Sequence, residues 1–129
     1  LVIIKKTFED RGIGTLETVP GAAGGVQYIS IAGNDDVLDF VHTLCNRIAE
    51  PNRLLPGGYL YLSDLLGEPV TLKAIGKILA TKFNNQKIDA IMTVATKGIP
   101  IAQAVAEHLS VPFVIVRRDS KVTEGSTVS

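Results

Sequence analysis

The sequence is poor in cysteine, in tryptophan and in net charge, and these shortages limit the class of protein. Its 129 residues include one cysteine and no tryptophan. Cys45 alone cannot form a disulfide within the chain, and with only His42 and His108 beside it a zinc site has too few ligands. We therefore expect a protein of a reducing cytoplasm. Cys45 falls on the apolar side of a helical pattern, which predicts a small core residue.

Charge and hydropathy set two further limits. The 13 basic residues balance 13 acidic ones, so any DNA-binding surface must be local rather than a matter of overall charge. No apolar run reaches the roughly 18–20 residues that a membrane helix needs, so we expect no membrane partner. With 46% hydrophobic and 20% charged residues, the chain can bury the core of one ordinary domain.

Both ends of the sequence predict a chain cut from a longer protein. Leu1 is not a methionine, and the short apolar start is followed by Lys5 and Lys6, an order that does not fit a signal peptide. Residues 124–129 have the composition of a polar loop with no element after it.

The first part of the sequence predicts a helix followed by a β-hairpin. Apolar residues follow a helical spacing over residues 1–11, and Gly12 is placed to end that helix. Two strand-like runs, 14–19 and 26–29, flank the turn-rich segment 20–25. This order predicts a hairpin with a glycine-rich tip.

A second helix and an alternating pattern of strands and helices follow. Asn34-Asp35-Asp36 predicts the N-cap of an amphipathic helix that ends before Pro51. From residue 57 the predicted order is β-α-β-α-β, which is typical of a parallel sheet with helical crossovers. The predicted strands cover 58–63, 88–95 and 111–116. The helix that Pro69 opens has an apolar face, predicted from Leu72, Ile75, Leu79 and Phe83.

The strongest candidate site lies where the second of these strands meets a helix. Backbone N–H groups at a helix start attract phosphate, a glycine permits close approach, and a lysine adds a positive charge. In open α/β sheets ligands bind at the carboxyl ends of the strands. An ordinary turn with a solvated lysine remains the alternative. The candidate residues are Ala95, Thr96, Lys97 and Gly98.

Two further segments carry residues that could contact an anionic ligand. The first is a strand-like run with two tyrosines and a following aspartate, for which a strand with a capping aspartate is the simpler interpretation. The second is the polar loop that begins at Arg117, which could close over an anion or be a plain solvated loop. The candidate residues are Tyr59, Tyr61, Asp64, Arg118 and Lys121.

The hairpin tip and the helix before it are the candidate DNA-binding features. Small residues at a tip let the backbone approach another surface closely, and the helix supplies local positive charge. A hairpin on an ordinary protein surface remains the alternative. The candidate residues are Lys5, Lys6, Pro20, Gly21, Ala22, Ala23, Gly24 and Gly25.

Six segments spread over the chain carry a resemblance to a known family. They are residues 12–16, 18–26, 55–64, 92–100, 114–117 and 121–129. Among them are TVPGAAGGV at 18–26 and MTVATKGIP at 92–100. On these segments the chain resembles the purine operon repressor family of Gram-positive bacteria.

The resemblance implies a fold and a role. The implied fold class is α/β: an incomplete, parallel-sheet phosphoribosyltransferase-like domain, preceded by the last helix and the wing hairpin of a winged helix. Residues 1–33 would be the C-terminal part of the DNA-binding domain, and 34–129 the N-terminal part of the effector domain. The implied protein is a homodimeric repressor of purine biosynthesis genes that binds double-stranded operator DNA. Phosphoribosyl pyrophosphate (PRPP), with Mg²⁺, would be its inducer, and the fold would serve sensing rather than catalysis.

The resemblance also implies roles for particular segments. Residues 95–98 would grip the diphosphate of PRPP, and residues 118–129 would be a flexible loop over the ligand. The hairpin tip would approach the DNA backbone or minor groove. Purine nucleotides or alarmones are further candidate ligands of the PRPP site.

The sequence also departs from the family pattern. The family continues beyond the position of Ser129 into a strand with two adjacent acidic residues and a glycine–threonine turn, which binds the ribose 5-phosphate, and this motif is not in the sequence. The first part of the DNA-binding domain is missing as well. We therefore expect these 129 residues alone to bind neither PRPP nor operator DNA well, and to expose a sheet edge.

Two other classes of protein remain open. The first is a purine salvage phosphoribosyltransferase of the xanthine or adenine type, whose pyrophosphate loop lies in a similar strand–loop–helix context. The second is a generic α/β nucleotide-binding protein. The N-terminal helix and hairpin favour the repressor, because a salvage enzyme has no use for them.

Overall fold

The computed structural model describes residues 1–12, 14–22, 24–30 and 33–118. Within these residues the helices are α1 (Val2–Asp10), α2 (Asn34–Ile48), α3 (Ser63–Leu66), α4 (Pro69–Thr81) and α5 (Ile99–Leu109), with a 3₁₀ turn at Pro51–Arg53. The strands are β1 (Gly14–Val19), β2 (Gly25–Ser30), β3 (Leu54–Leu55), β4 (Tyr59–Leu60), β5 (Ile91–Val94) and β6 (Phe113–Val116). In the described part of the chain they pair as β1–β2, β3–β4 and β5–β6.

The N-terminal helix and hairpin are confirmed. Gly12, just past the end of α1, has a φ of +62°, in the left-handed region that glycine adopts without a steric cost. β1 and β2 are antiparallel, in a register that runs from Gly14 opposite Ser30 to Val19 opposite Gly25. At the tip, the Gly24 N–H donates to the Gly21 carbonyl at 2.9 Å.

The predicted start of α2 was wrong by one residue. The prediction that Cys45 is a small core residue was also wrong. The N-cap is Gly33, and no side chain caps the helix start. Asp35 and Asp36 lie instead in the first turn, where their charge still favours the positive end of the helix. Cys45 is exposed rather than part of a core, because no residue of α2 is buried in the described part of the chain.

The prediction that residues 58–63 form a strand of the parallel sheet was wrong. β4 has two residues and pairs antiparallel with β3, with Leu55 opposite Tyr59. The reason is the turn between them: Gly57 and Gly58 have φ values of +86° and +78°, which fold the chain back on itself. The chain then enters α3 at Ser63. Among the described residues the parallel sheet therefore has two strands and not the expected three.

The β5–α5–β6 unit is the parallel part of the fold and positions the candidate site. β5 and β6 pair in parallel from Ile91 opposite Phe113 to Val94 opposite Val116. Pro100 lies in the first turn of α5, where its missing N–H costs nothing. The parallel pairing places the ends of both strands, and the loop that leads into α5, at one edge of the sheet.

The core of the described residues lies between α4 and α5, through small side chains. α4 buries Thr71, Gly76 and Ala80, and α5 buries Val105 and three alanines: Ala102, Ala104 and Ala106. The apolar face predicted for α4 is confirmed for the residues within the helix and wrong for Phe83. The large residues Leu72, Ile75 and Leu79 are half-buried, and Phe83 lies beyond the helix and is 40% exposed. Small residues form the contact between α4 and α5 because they allow the two helix backbones to approach closely.

Candidate functional site

The loop at residues 95–98 joins the carboxyl end of β5 to the start of α5. The Ala95 N–H donates to the Val116 carbonyl at 3.0 Å, so the loop is fixed to the neighbouring strand. Gly98 is the N-cap of α5, and no side chain caps the start of this helix among the residues that the structure describes. The positive end of α5 therefore faces the loop, as phosphate binding requires. The peptide bond between Ala95 and Thr96 is cis.

Gly98 has no room for a side chain. A Cβ at this position would collide with Oγ1 of Thr93 and lie 3.3 Å from the Val94 carbonyl oxygen. Its φ of −76° is an ordinary value, so space and not backbone conformation demands the glycine. The close packing brings the loop backbone directly over the end of β5.

We expect Gly98→Ala to weaken the binding of a diphosphate ligand by the full-length protein, because the added methyl group must displace the loop or the Thr93 side chain. The double variant Gly98→Ala/Thr93→Ala removes the colliding oxygen and should recover most of the affinity. Isothermal titration with PRPP measures both variants, with Thr93→Ala alone as the control. Equal losses in the single and double variants would show that this packing does not shape the loop.

Lys97 reaches from the loop to the start of α3. Its Nζ donates to Oγ of Ser63 at 2.5 Å. The ammonium group therefore lies near the segment that follows Tyr59 and Tyr61. Those two side chains are 72% and 47% exposed, so both are accessible to a ligand, and their role in binding stays a prediction.

Asp64, the third candidate in this segment, is held by an ion pair. Nη1 and Nη2 of Arg53 donate to its two carboxylate oxygens at 2.7 and 2.9 Å. Arg53 is 7% exposed, and it also donates to the Tyr61 carbonyl at 3.1 Å and to the Arg47 carbonyl at 2.7 Å. Such a fork-to-fork geometry fixes both partners. Asp64 therefore anchors α3, and a ligand role for it stays a prediction.

A second ion pair ties α2 to the start of α4. Nη1 of Arg47 donates to the Glu68 carboxylate at 2.8 Å, and the Thr71 hydroxyl donates to the same carboxylate. The bond from Arg47, and then the bond from Thr71, lowers the pKa of Glu68. Sequence reasoning missed Arg47, Arg53 and Glu68, because each lies in a stretch of ordinary surface composition and finds its partner only through the tertiary fold.

The Asp64 ion pair should make the stability of the fold depend on pH in the acid range. The hydrogen bond from Arg53 lowers the pKa of Asp64 from 3.8 to about 2. A carboxyl group with a lowered pKa stabilises the fold fully above its ordinary pKa, and this contribution is lost as the pH falls toward the lowered value. We therefore expect Asp64→Asn to lower the Tm at pH 7, with a gap to the wild type that narrows between about pH 4 and pH 2.

Thermal unfolding followed by circular dichroism over this pH range measures the gap. Asp39→Asn is the matched control, because it removes an exposed carboxylate on α2. A gap that stays constant down to pH 2 would contradict the ion pair as its source.

The remaining candidates are only partly described. Arg118 is exposed, just beyond β6. Lys121 and Ala23 lie outside the described residues. On α1, Lys6 is exposed and Lys5 is half-buried. The tip residues Pro20, Gly21, Ala22, Gly24 and Gly25 are all exposed.

The described ranges hold neither a metal-binding cluster nor a membrane-spanning helix. Nowhere in them do three His, Cys, Asp or Glu side chains group so that they could hold a metal ion. Within the same ranges, no helix has the length and the apolar character needed to cross a bilayer.

Two family models match the chain, one at each end. Residues 62–129 match the phosphoribosyl transferase domain. Residues 1–30 match the N-terminal domain of the bacterial purine repressor. The first match contains the β5–α5–β6 unit with its loop, and the second contains α1 and the hairpin.

Curated relatives match the chain in two ways, purine regulators over its whole length and a phosphoribosyltransferase over part of it. The purine biosynthesis transcriptional repressor of Bacillus subtilis is 60% identical over all 129 residues, which cover 45% of that protein. The purine biosynthesis transcriptional activator of Lactococcus lactis subsp. lactis is 52% identical over the same residues, which cover 48% of it. A xanthine phosphoribosyltransferase of Exiguobacterium is 33% identical over 81 residues, which are 60% of this chain and 42% of that enzyme.

The fold and the matched models define a phosphoribosyltransferase-type α/β domain, preceded by the helix and wing of a winged helix, so the predicted fold class is confirmed. The chain belongs to the purine operon repressor family. It spans about half the length of the purine regulators that it matches.

Proposed function

We propose that the full-length protein is a cytoplasmic transcriptional repressor of purine biosynthesis genes. It acts as a homodimer, binds double-stranded operator DNA through the N-terminal unit, and releases it when PRPP binds at residues 95–98. The observation that carries the proposal is the combination, in one chain, of a purine repressor N-terminal match with a loop suited to phosphate.

The loop suits a diphosphate in three ways. The uncapped start of α5 offers backbone N–H groups and a positive helix end. Lys97 brings a cation to the same place. Gly98 lets the backbone approach the ligand without a side chain in between. Mg²⁺ would come with the ligand, and purine nucleotides or alarmones that carry a diphosphate would compete for the loop.

Ligand and DNA would be linked through a shift between two forms of the dimer. PRPP would favour the form with weaker DNA contacts, and by reciprocity DNA would weaken PRPP binding. In vitro transcription from a purine biosynthesis promoter tests the direction of the effect. We expect the protein to lower transcript yield and PRPP to restore it.

Activation is the second candidate direction, because one relative at 52% identity is an activator. A higher transcript yield in the same assay would favour it over repression. A salvage phosphoribosyltransferase is the alternative of another class, supported by 33% identity to a xanthine enzyme. Turnover of a purine base with PRPP would establish that activity and contradict a purely sensory role.

The positive charge on α1 should make the affinity for operator DNA depend on the salt concentration. Each phosphate contact contributes about 0.9 to the slope of log K against log[salt]. We therefore expect Lys6→Gln to reduce the slope for operator DNA by about 0.9, because Lys6 is an exposed cation next to the hairpin. Lys87→Gln, an exposed lysine before β5, is the control and should leave the slope unchanged. An unchanged slope in Lys6→Gln would remove Lys6 from the DNA interface.

A further inference from the structure

One hydrogen bond joins the candidate loop to a segment far away in the sequence. Nζ of Lys97 donates to Oγ of Ser63 at 2.5 Å, across 34 positions of the chain. Ser63 is the first residue of α3, and Lys97 lies in the turn that precedes α5. The bond therefore fixes where the cation of the loop is held.

The segment that carries Ser63 is itself firmly anchored. α3 has only four residues, so its own hydrogen bonds cannot hold it in place. The neighbouring Asp64 makes the two-bond ion pair with the buried Arg53, whose Nε donates to the Arg47 carbonyl near the end of α2 at 2.7 Å. A continuous set of contacts thus runs from the end of α2, through Arg53 and α3, to the ammonium group of Lys97.

We propose that Ser63 is a positioning residue, which holds the Lys97 ammonium group over the loop before a diphosphate arrives. This inference rests on the proposed function. An ammonium group has three N–H donors, so the bond to Ser63 leaves two for phosphate oxygens. A lysine side chain has much rotamer freedom to lose on binding, and a group ordered beforehand loses less. Ser63 therefore raises the affinity for diphosphate through Lys97.

Two other roles of Ser63 would give different results. If its hydroxyl group contacts the ligand directly, its removal weakens binding whether or not Lys97 is present. If its bond to Lys97 must break before the ligand binds, its removal strengthens binding. A double-mutant cycle separates these cases, because it isolates the part of the effect that passes through the partner.

The experiment uses the full-length protein and isothermal titration with PRPP and, separately, with inorganic pyrophosphate. The variants are Ser63→Ala, Lys97→Met and the double variant. We expect Ser63→Ala to weaken binding of both probes by about three- to tenfold in the wild-type background and to have no further effect in the Lys97→Met background. Ser63→Thr, which keeps the hydroxyl group, should retain most of the affinity. An unchanged Tm in Ser63→Ala confirms that the fold is intact.

Three results would overturn the inference while leaving the proposed function in place. They are a loss in Ser63→Ala that persists without Lys97, a gain in affinity, and an affinity equal to that of the wild type. Failure of the wild-type protein to bind either probe would instead overturn the proposed function, and this inference with it.

Discussion

Lys97→Met will weaken PRPP binding by the full-length protein by about 10- to 100-fold, because a hydrogen bond to a charged group contributes about 1.5–3 kcal/mol. Methionine keeps the length of the side chain and removes only the cation. DNA binding without PRPP should remain close to that of the wild type, because the loop at 95–98 lies in the phosphoribosyl transferase match and not in the repressor N-terminal match.

Isothermal titration gives the PRPP affinity, and fluorescence anisotropy of labelled operator DNA gives the DNA affinity. Lys87→Met is the matched control, because it removes an exposed lysine in the segment before β5, at the opposite end of that strand from the loop. We expect a large loss of PRPP affinity in Lys97→Met and none in Lys87→Met. Unchanged PRPP affinity in Lys97→Met would show that the loop is not the diphosphate site.

Gly76→Ala will destabilise the protein, although helix propensity alone predicts the opposite. In the interior of a helix, alanine is favoured over glycine by about 0.5–1 kcal/mol. At this position, however, a Cβ would lie 2.7 Å from the carbonyl carbon and oxygen of Ala104 on α5. Forcing α4 and α5 apart should cost about 1–3 kcal/mol or more, as overpacked cores do, so the net effect is a loss of stability.

Urea or thermal unfolding of the full-length protein measures this effect. Lys73→Ala, on the exposed side of α4, is the control and should change the stability little. We also expect Gly76→Ala to weaken PRPP binding, because α5 begins at the loop and moves when α4 pushes on it. A Tm above that of the wild type would mean that the two helices do not meet at Gly76.

Local signals in the sequence predicted the elements whose chemistry is local. Gly12 ends α1, Pro69 opens α4, and the glycine-rich segment between two strand-like runs turns the hairpin. The loop at 95–98 was found because a short apolar run, a lysine and a glycine stand in the order that a strand, a phosphate loop and a helix require. These features depend on residues close together in the chain, so periodicity and turn chemistry suffice to find them.

Features that depend on tertiary packing were not predicted. The apolar spacing of α4 predicted the correct face, because Leu72 and Gly76 lie one turn apart on it, but it did not reveal that the close contact with α5 is made by Gly76. Residues 58–63 were predicted as a strand of the parallel sheet, yet two glycines with positive φ turn the chain into a short hairpin there. The hydrogen bond between Ser63 and Lys97 joins residues 34 positions apart, so no local sequence pattern predicts it.

The most direct test of the central claim follows a labelled duplex from upstream of the organism's own purine biosynthesis genes by fluorescence anisotropy. The full-length protein is added at one fixed salt concentration, because phosphate contacts make the affinity depend on salt, and PRPP is then titrated in. We expect specific binding to the duplex that PRPP weakens in a saturable way. Absence of specific binding, or specific binding that PRPP leaves unchanged, would contradict it.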